Sequence, residues 1–209
     1  MKISIIINVV LAVAVGILVA KLFFSGNKNA SSQEASNEAA IENIMTRTSI
    51  RAYSDKDVEK NKVETMLRAA MAAPSAMNKQ PWNFVVVDEP AKLKELADSL
   101  PYAKMLSQAK LAIVVCGNMQ KAIEGNGRNF WIQDASAASE NLLLAAHALG
   151  LGAVWTGVYP TERVEPVSTV LNLPSHIVPL NVIPIGYPAE DPQPKDKWNP
   201  DNVVYNEWK

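Results

Sequence analysis

LAIVVCG, residues 111–117, is the stretch that most limits the choice of fold. It is uncharged, apolar and β-branched over a length too short for a helix, and it reads as a buried strand. Three further strand-like runs accompany it: NFVVV at 83–87, AVWTGVY at 153–159 and IVPLNVIPIGYP at 177–188. The prolines in the last run place it at an edge or irregular position, because proline has no N–H for a ladder. Helical patterns lie between these runs. Val63, Met66, Leu67, Ala70 and Met71 keep the i, i+3, i+4, i+7 spacing of one buried face, and Pro74 ends that helix. Glu89 to Ser99 reads as a short exposed helix and Glu162 to Leu171 as another. The longest runs from about Asn129 to Leu149, with Ala135, Ala138, Leu142, Ala145, Ala146 and Leu149 inward and Gly150 as its stop. Strands interleaved with helices make an α/β or α+β domain.

The amino terminus is a different material. Residues 3–20 carry no charge and lie between Lys2 and Lys21. As a helix they rise roughly 27 Å, close to the hydrocarbon thickness of a bilayer. Residues 1–24 are therefore expected to be a membrane anchor, with a cleaved signal peptide as the rival reading. Either one can export the domain, and a cytoplasm-facing anchor stays open. Residues 25–40 are small and polar and read as a spacer, flexible or weakly helical toward Glu38-Ala39-Ala40, and 41–209 as the folded domain.

Composition narrows the chemistry. A net charge of −1 gives no basic excess for nucleic acid. One cysteine, Cys116, excludes an internal disulfide and a multi-cysteine metal site. Two histidines do not make a histidine metal centre. His147, amid LLLAAHALG, reads as a satisfied core or interface histidine, and Ser136 and Ser139 as small packing residues. No GxGxxG follows a strand, and GxxxxGK[ST] and GxSxG are both absent. One cluster does stand out. RTSIRAY places Arg47, Thr48, Ser49 and Arg51 within five residues, in a chain with five arginines. Two guanidinium forks and two hydroxyls suit a phosphate; the alternative is an exposed helix end with incidental arginines.

RTSIRAYSDKDV, MLRAAMAAPSAMNKQPWNFVVV, QDASAASENLLLAAHALGLGAVWTG and VIPIGYP, in this order and spacing, resemble the FMN-dependent nitroreductase family from about Ile44 to Trp208. The resemblance implies an α+β three-layer fold, with a central, mostly antiparallel sheet flanked by helices. It also implies an intertwined homodimer with FMN at the subunit interface. Members reduce FMN with NADH or NADPH and pass the electrons to nitroaromatics, quinones or similar acceptors by a ping-pong route.

Carried over residue by residue, Arg47, Ser49 and Arg51, with Thr48 adjacent, would hold the phosphate and ribityl chain. Pro74, Ser75, Met77 and Asn78 would lie along the flavin from the partner subunit. Thr156 and Gly157 would offer backbone groups to the ring edge, and Lys197 would replace a phosphate-binding arginine. Met77 stands where small residues are common, and Thr156 where some branches carry an acid. Asn129, Phe130 and Trp131 line the substrate mouth or pack an interface. The family needs no catalytic side chain, because the chemistry is the flavin's. The alternative function is a membrane-tethered flavin module that relays or senses electrons without a dedicated organic substrate.

Overall fold

The computed structural model describes residues 36–208. Residues 36–46 are helical (α1), and one compact unit runs from Thr46 onward. In that unit follow α2 (Lys60–Met71), β1 (Trp82–Val87), α3 (Pro90–Ser99), β2 (Leu111–Asn118), α4 (Phe130–Ala148), β3 (Gly152–Ala153), β4 (Thr156–Gly157), α5 (Val164–Val170) and β5 (Ile177–Gly186). The sheet order is β1-β2-β5-β3, with β4 also on β5, and every pair is antiparallel.

β2 is buried from end to end because helices cover both faces of the sheet. Leu111, Ile113 and Val115 meet Met66 and Ala70 of α2 and Trp131, Ala135, Ala138 and Leu142 of α4. Ala112, Val114 and Cys116 meet Leu93 and Leu96 of α3 and Val167 of α5. The result is three layers. Burial pushes the Cys116 thiol up to about 12, so it stays protonated as a core residue. α3 is less exposed than its sequence suggests, since Leu93, Leu96 and Ala97 are buried.

β5 corrects the edge placement that its prolines allowed and keeps the irregular one: it is a central strand, with β2 on one side and β3 and β4 on the other. Pro179 falls at the register shift opposite Val115/Cys116. Leu180, left over by that shift, turns its carbonyl to Val158 N and Tyr159 N at 3.0 and 3.1 Å. The run AVWTGVY is likewise split into β3 and β4, which share one register on β5. The break falls opposite Ile183 and Pro184, where Pro184 has no N–H to give. The Tyr53 hydroxyl lies 3.2 Å from the Pro184 carbonyl instead.

The anchor expected over 1–24 and residues 25–35 of the spacer expected over 25–40 lie outside the described residues; residues 36–40 of that spacer are part of α1. Among the described residues, no helix is long and apolar enough to cross a membrane. α4 has the length, at 19 residues, but carries Asp134 and Glu140. The expectation of a membrane-anchored, exported domain is corrected for the described residues, none of whose helices is an anchor.

Trp131 belongs to the core rather than to a substrate mouth: it is buried, edge-on to Tyr159 at 4.9 Å. Its ring sits where a side chain on Gly117 would be, with Cε3 only 2.2 Å from an added Cβ. Gly117→Ala is therefore expected to destabilise the domain by about 1–3 kcal/mol through overpacking, read as a lower urea midpoint at unchanged m-value.

Candidate phosphate cleft

The site starts from a short ladder outside the main sheet. Ser54 N donates to Tyr187 O at 2.8 Å and Ala189 N to Ala52 O at 2.9 Å, with Tyr53 bridged to Pro188 between them. Ile50 N donates to Ala153 O at 3.1 Å. The Ile50 side chain fills the space over Gly152, where an added Cβ would come within 2.5 Å of it. Tyr53 packs over Gly186 in the same way, and its hydroxyl donates to Ile50 O at 2.7 Å. Burial, with Glu190 nearby, holds the Tyr53 phenol above its ordinary value, against a smaller opposing effect of Arg51. The Glu190 carboxylate accepts from both Arg51 N and Ala52 N. Residues from opposite ends of the unit are thereby fastened side by side.

Beyond that ladder the two strands of chain open into a cleft of about 280 Å³ lined by Arg47, Thr48, Ser49 and Arg51 from one and Pro192, Gln193, Lys195 and Lys197 from the other. Four cations and two hydroxyls converge there, and no carboxylate is in the lining. Such a wall concentrates positive potential and offers donors of the kind that anions take. The sequence cluster and Lys197 do come together, and Lys195, which sequence reasoning passed over, joins them. Its spacing two residues from Lys197 was the available signal.

The remaining predicted residues are not in this cleft. Pro74, Ser75, Met77 and Asn78 form a loop after α2 in which Met77, Asn78 and Gln80 have φ of 52, 53 and 48°. Left-handed backbone costs about 1–2 kcal/mol for each such residue, so the loop needs fixing. Ser75 Oγ accepts from Gln80 N at 2.9 Å, and Asp134 of α4, buried, accepts from Ala76 N at 2.8 Å. Asp134 thus fixes the start of this loop, a role that its sequence context did not assign. Met77 is exposed.

Thr156 and Gly157 form β4. Arg163 Nη1 donates to Gly157 O at 3.2 Å. Among the described residues, Thr156 Oγ1, Arg163 Nε and Asn181 Oδ1 are buried without a hydrogen-bond partner. An added Cβ on Gly157 would meet only Trp155 Nε1, at 3.9 Å, so the chain is open there. Ser139 packs as expected and also bonds, donating to Ala135 O and accepting from Asn181 Nδ2, both at 2.8 Å.

The model of the Nitroreductase family matches residues 44–101 and 90–187. The chain belongs to the nitroreductase family. A Methanothermobacter thermautotrophicus protein provisionally named NADH dehydrogenase/NAD(P)H nitroreductase is 46% identical over 171 residues, 80% of this chain and 87% of that one. A Bacteroides thetaiotaomicron crystal structure under the same provisional name is 50% identical, with a TM-score of 0.77, covering 81% of this chain and 98% of that chain. An FMN-dependent nitroreductase from Clostridium difficile is 32% identical, with a TM-score of 0.74, covering 80% and 99%. The nitroreductase-like α+β fold, antiparallel sheet between helices, is thus the fold of this chain. The family match lies within residues 44–187, and among the described residues no helix is long and apolar enough to cross a membrane.

His147, on α4, is hydrogen-bonded to Thr46 Oγ1 at 3.0 Å. Partial burial, then the nearby Arg47 charge, lowers its affinity for a proton below the ordinary value of 6.5. The folded value is the lower one, so the unfolded chain protonates first on acidification. Stability from neutral His147 is complete above pH about 6.5 and is lost as pH falls toward the folded value. Urea midpoints from pH 7.5 to 5 should fall more steeply for the natural chain than for His147→Gln; parallel curves would contradict this.

Proposed function

We propose that the chain holds the FMN phosphate in the cleft between residues 47–51 and 192–197. With FMN in place it passes electrons from NADH or NADPH to nitroaromatic, quinone or similar oxidised acceptors, in two half-reactions at one site. Membership of the nitroreductase family makes it an NAD(P)H-dependent flavin oxidoreductase with FMN as its cofactor. The observation that carries the phosphate assignment is the convergence of Arg47, Arg51, Lys195 and Lys197 on one carboxylate-free wall.

When bound, FMN supplies the two-electron chemistry of its ring, and the protein supplies position and field. Arg47 and Arg51 offer planar forks that match phosphate oxygens, while Lys195 and Lys197 act as point charges. Thr48 and Ser49 hydroxyls serve the remaining oxygens and the ribityl chain. Thr156 and Gly157 are assigned to the ring edge, supported by the orphaned Thr156 hydroxyl and the open space over Gly157.

Pro74, Ser75, Met77 and Asn78 are assigned to a flavin shared with a second copy of the chain. Support for a homodimer comes from the carboxyl-terminal tail, where Trp198, Tyr205 and Trp208 are 74, 83 and 82% exposed. Aromatic side chains this bare are unusual on a monomer's surface and suit an interface. Residues 41–209 are proposed as the flavin domain.

Arg51→Ala removes one charge-assisted pair, and FMN should bind about 10- to 100-fold more weakly, measured by quenching of flavin fluorescence. Unchanged affinity would remove Arg51 from the phosphate site.

A further inference from the structure

Two α4 side chains outside the cleft contact the segment that lines it. Glu140 Oε1 lies 3.7 Å from Arg47 Nε, in an ion pair whose arginine side chain is only 18% exposed. His147, seven residues on and so on the same helix face, bonds to Thr46, the residue before Arg47. Both contacts fall at the start of the 46–51 segment, upstream of the ladder at 50–54. Arg47 therefore lies between two fixings, α4 on one side and Ile50 over Gly152 on the other.

We infer that Glu140 and His147 are positioning residues for the cofactor phosphate, presetting Arg47 before the cofactor arrives. This rests on the assignment of the cleft to the FMN phosphate. The carboxylate lies on the Nε side of the guanidinium, at ion-pair rather than hydrogen-bond distance, which leaves the Nη1/Nη2 edge as the fork for phosphate oxygens. His147 contributes by tethering the backbone that carries Arg47, and as a neutral ring adds no charge of its own. An arginine side chain free in solvent would have to be ordered on binding, at a cost in affinity. α4 bears that ordering within the folded chain.

Charge alone predicts the reverse for Glu140. Deleting a carboxylate beside an anion site raises the positive potential there, so Glu140→Ala would tighten FMN binding. Positioning predicts weakening, and only while Arg47 is present. The test is a double-mutant cycle on FMN affinity in the full chain, using Arg47→Ala, Glu140→Ala and both together. The expected results are at least 10-fold weaker binding for Arg47→Ala and 3- to 10-fold weaker for Glu140→Ala. In the Arg47→Ala background, Glu140→Ala should change affinity less than 2-fold.

Glu140→Gln keeps an oxygen against Nε and should bind FMN more tightly than Glu140→Ala, which guards against a folding defect in the alanine variant. His147→Leu should weaken FMN at least 3-fold, again only with Arg47 in place. Equal or tighter binding by Glu140→Ala, with Arg47→Ala weakened, would overturn the positioning role while leaving the phosphate cleft standing. Unchanged binding by Arg47→Ala would overturn both.

Discussion

The candidate site depends on a ladder of a few hydrogen bonds between residues 50–54 and 186–190. Ser54 N to Tyr187 O and Ala189 N to Ala52 O hold the arginine segment beside the lysines that lie almost 150 positions later. The ladder is buttressed where backbone meets glycine: Ile50 over Gly152 and Tyr53 over Gly186 occupy volumes a Cβ would need. Glu190 then caps two backbone N–H groups, Arg51 and Ala52, keeping its carboxylate engaged beside a cleft made of cations. A small number of local contacts therefore sets a long-range electrostatic feature.

α4 is the element through which the parts of the site share one framework. Its Ala and Ser residues let it pack closely on the sheet and on α2, where Asn141 Nδ2 reaches Ala69 O at 3.0 Å. The same helix holds the strained 75–80 loop through Asp134 and the 46–51 segment through Glu140 and His147. Its end is defined by Gly150 at φ 72°, with Leu151 N returning to Ala146 O. The chain can then turn directly into β3, under Ile50.

Much of the layer structure was legible from periodicity. α2, α4 and β2 lie where apolar spacing puts them, because burial against a sheet needs that spacing. Of the two positions expected for the strand with two prolines, an edge or an irregular one, the structure has the irregular one, within a central strand. Proline excludes a residue from one ladder bond, and here Pro179 sits at a register shift and Pro184 at a gap between two short strands. Placement relative to neighbours is what makes both tolerable, and a single strand's sequence does not contain it. At the site, the density of RTSIR was readable and Lys197 followed by resemblance. Lys195, Glu140, Glu190 and Asp134 were not, since each acts on a residue far away in the chain. His147 was read as a satisfied histidine, and its bond to Thr46 agrees; its place beside Arg47 came only from the fold.

The central claim is that the cationic cleft recognises a phosphate on a flavin. The most direct measurement compares FMN with riboflavin, the same ring and ribityl chain without the phosphate, by titration of the flavin-free protein at fixed ionic strength. Two or more charge-assisted contacts to the phosphate predict FMN binding at least about 100-fold tighter than riboflavin. That preference should shrink sharply in Lys195→Ala/Lys197→Ala. Equal affinity for the two flavins in the natural chain would contradict the account.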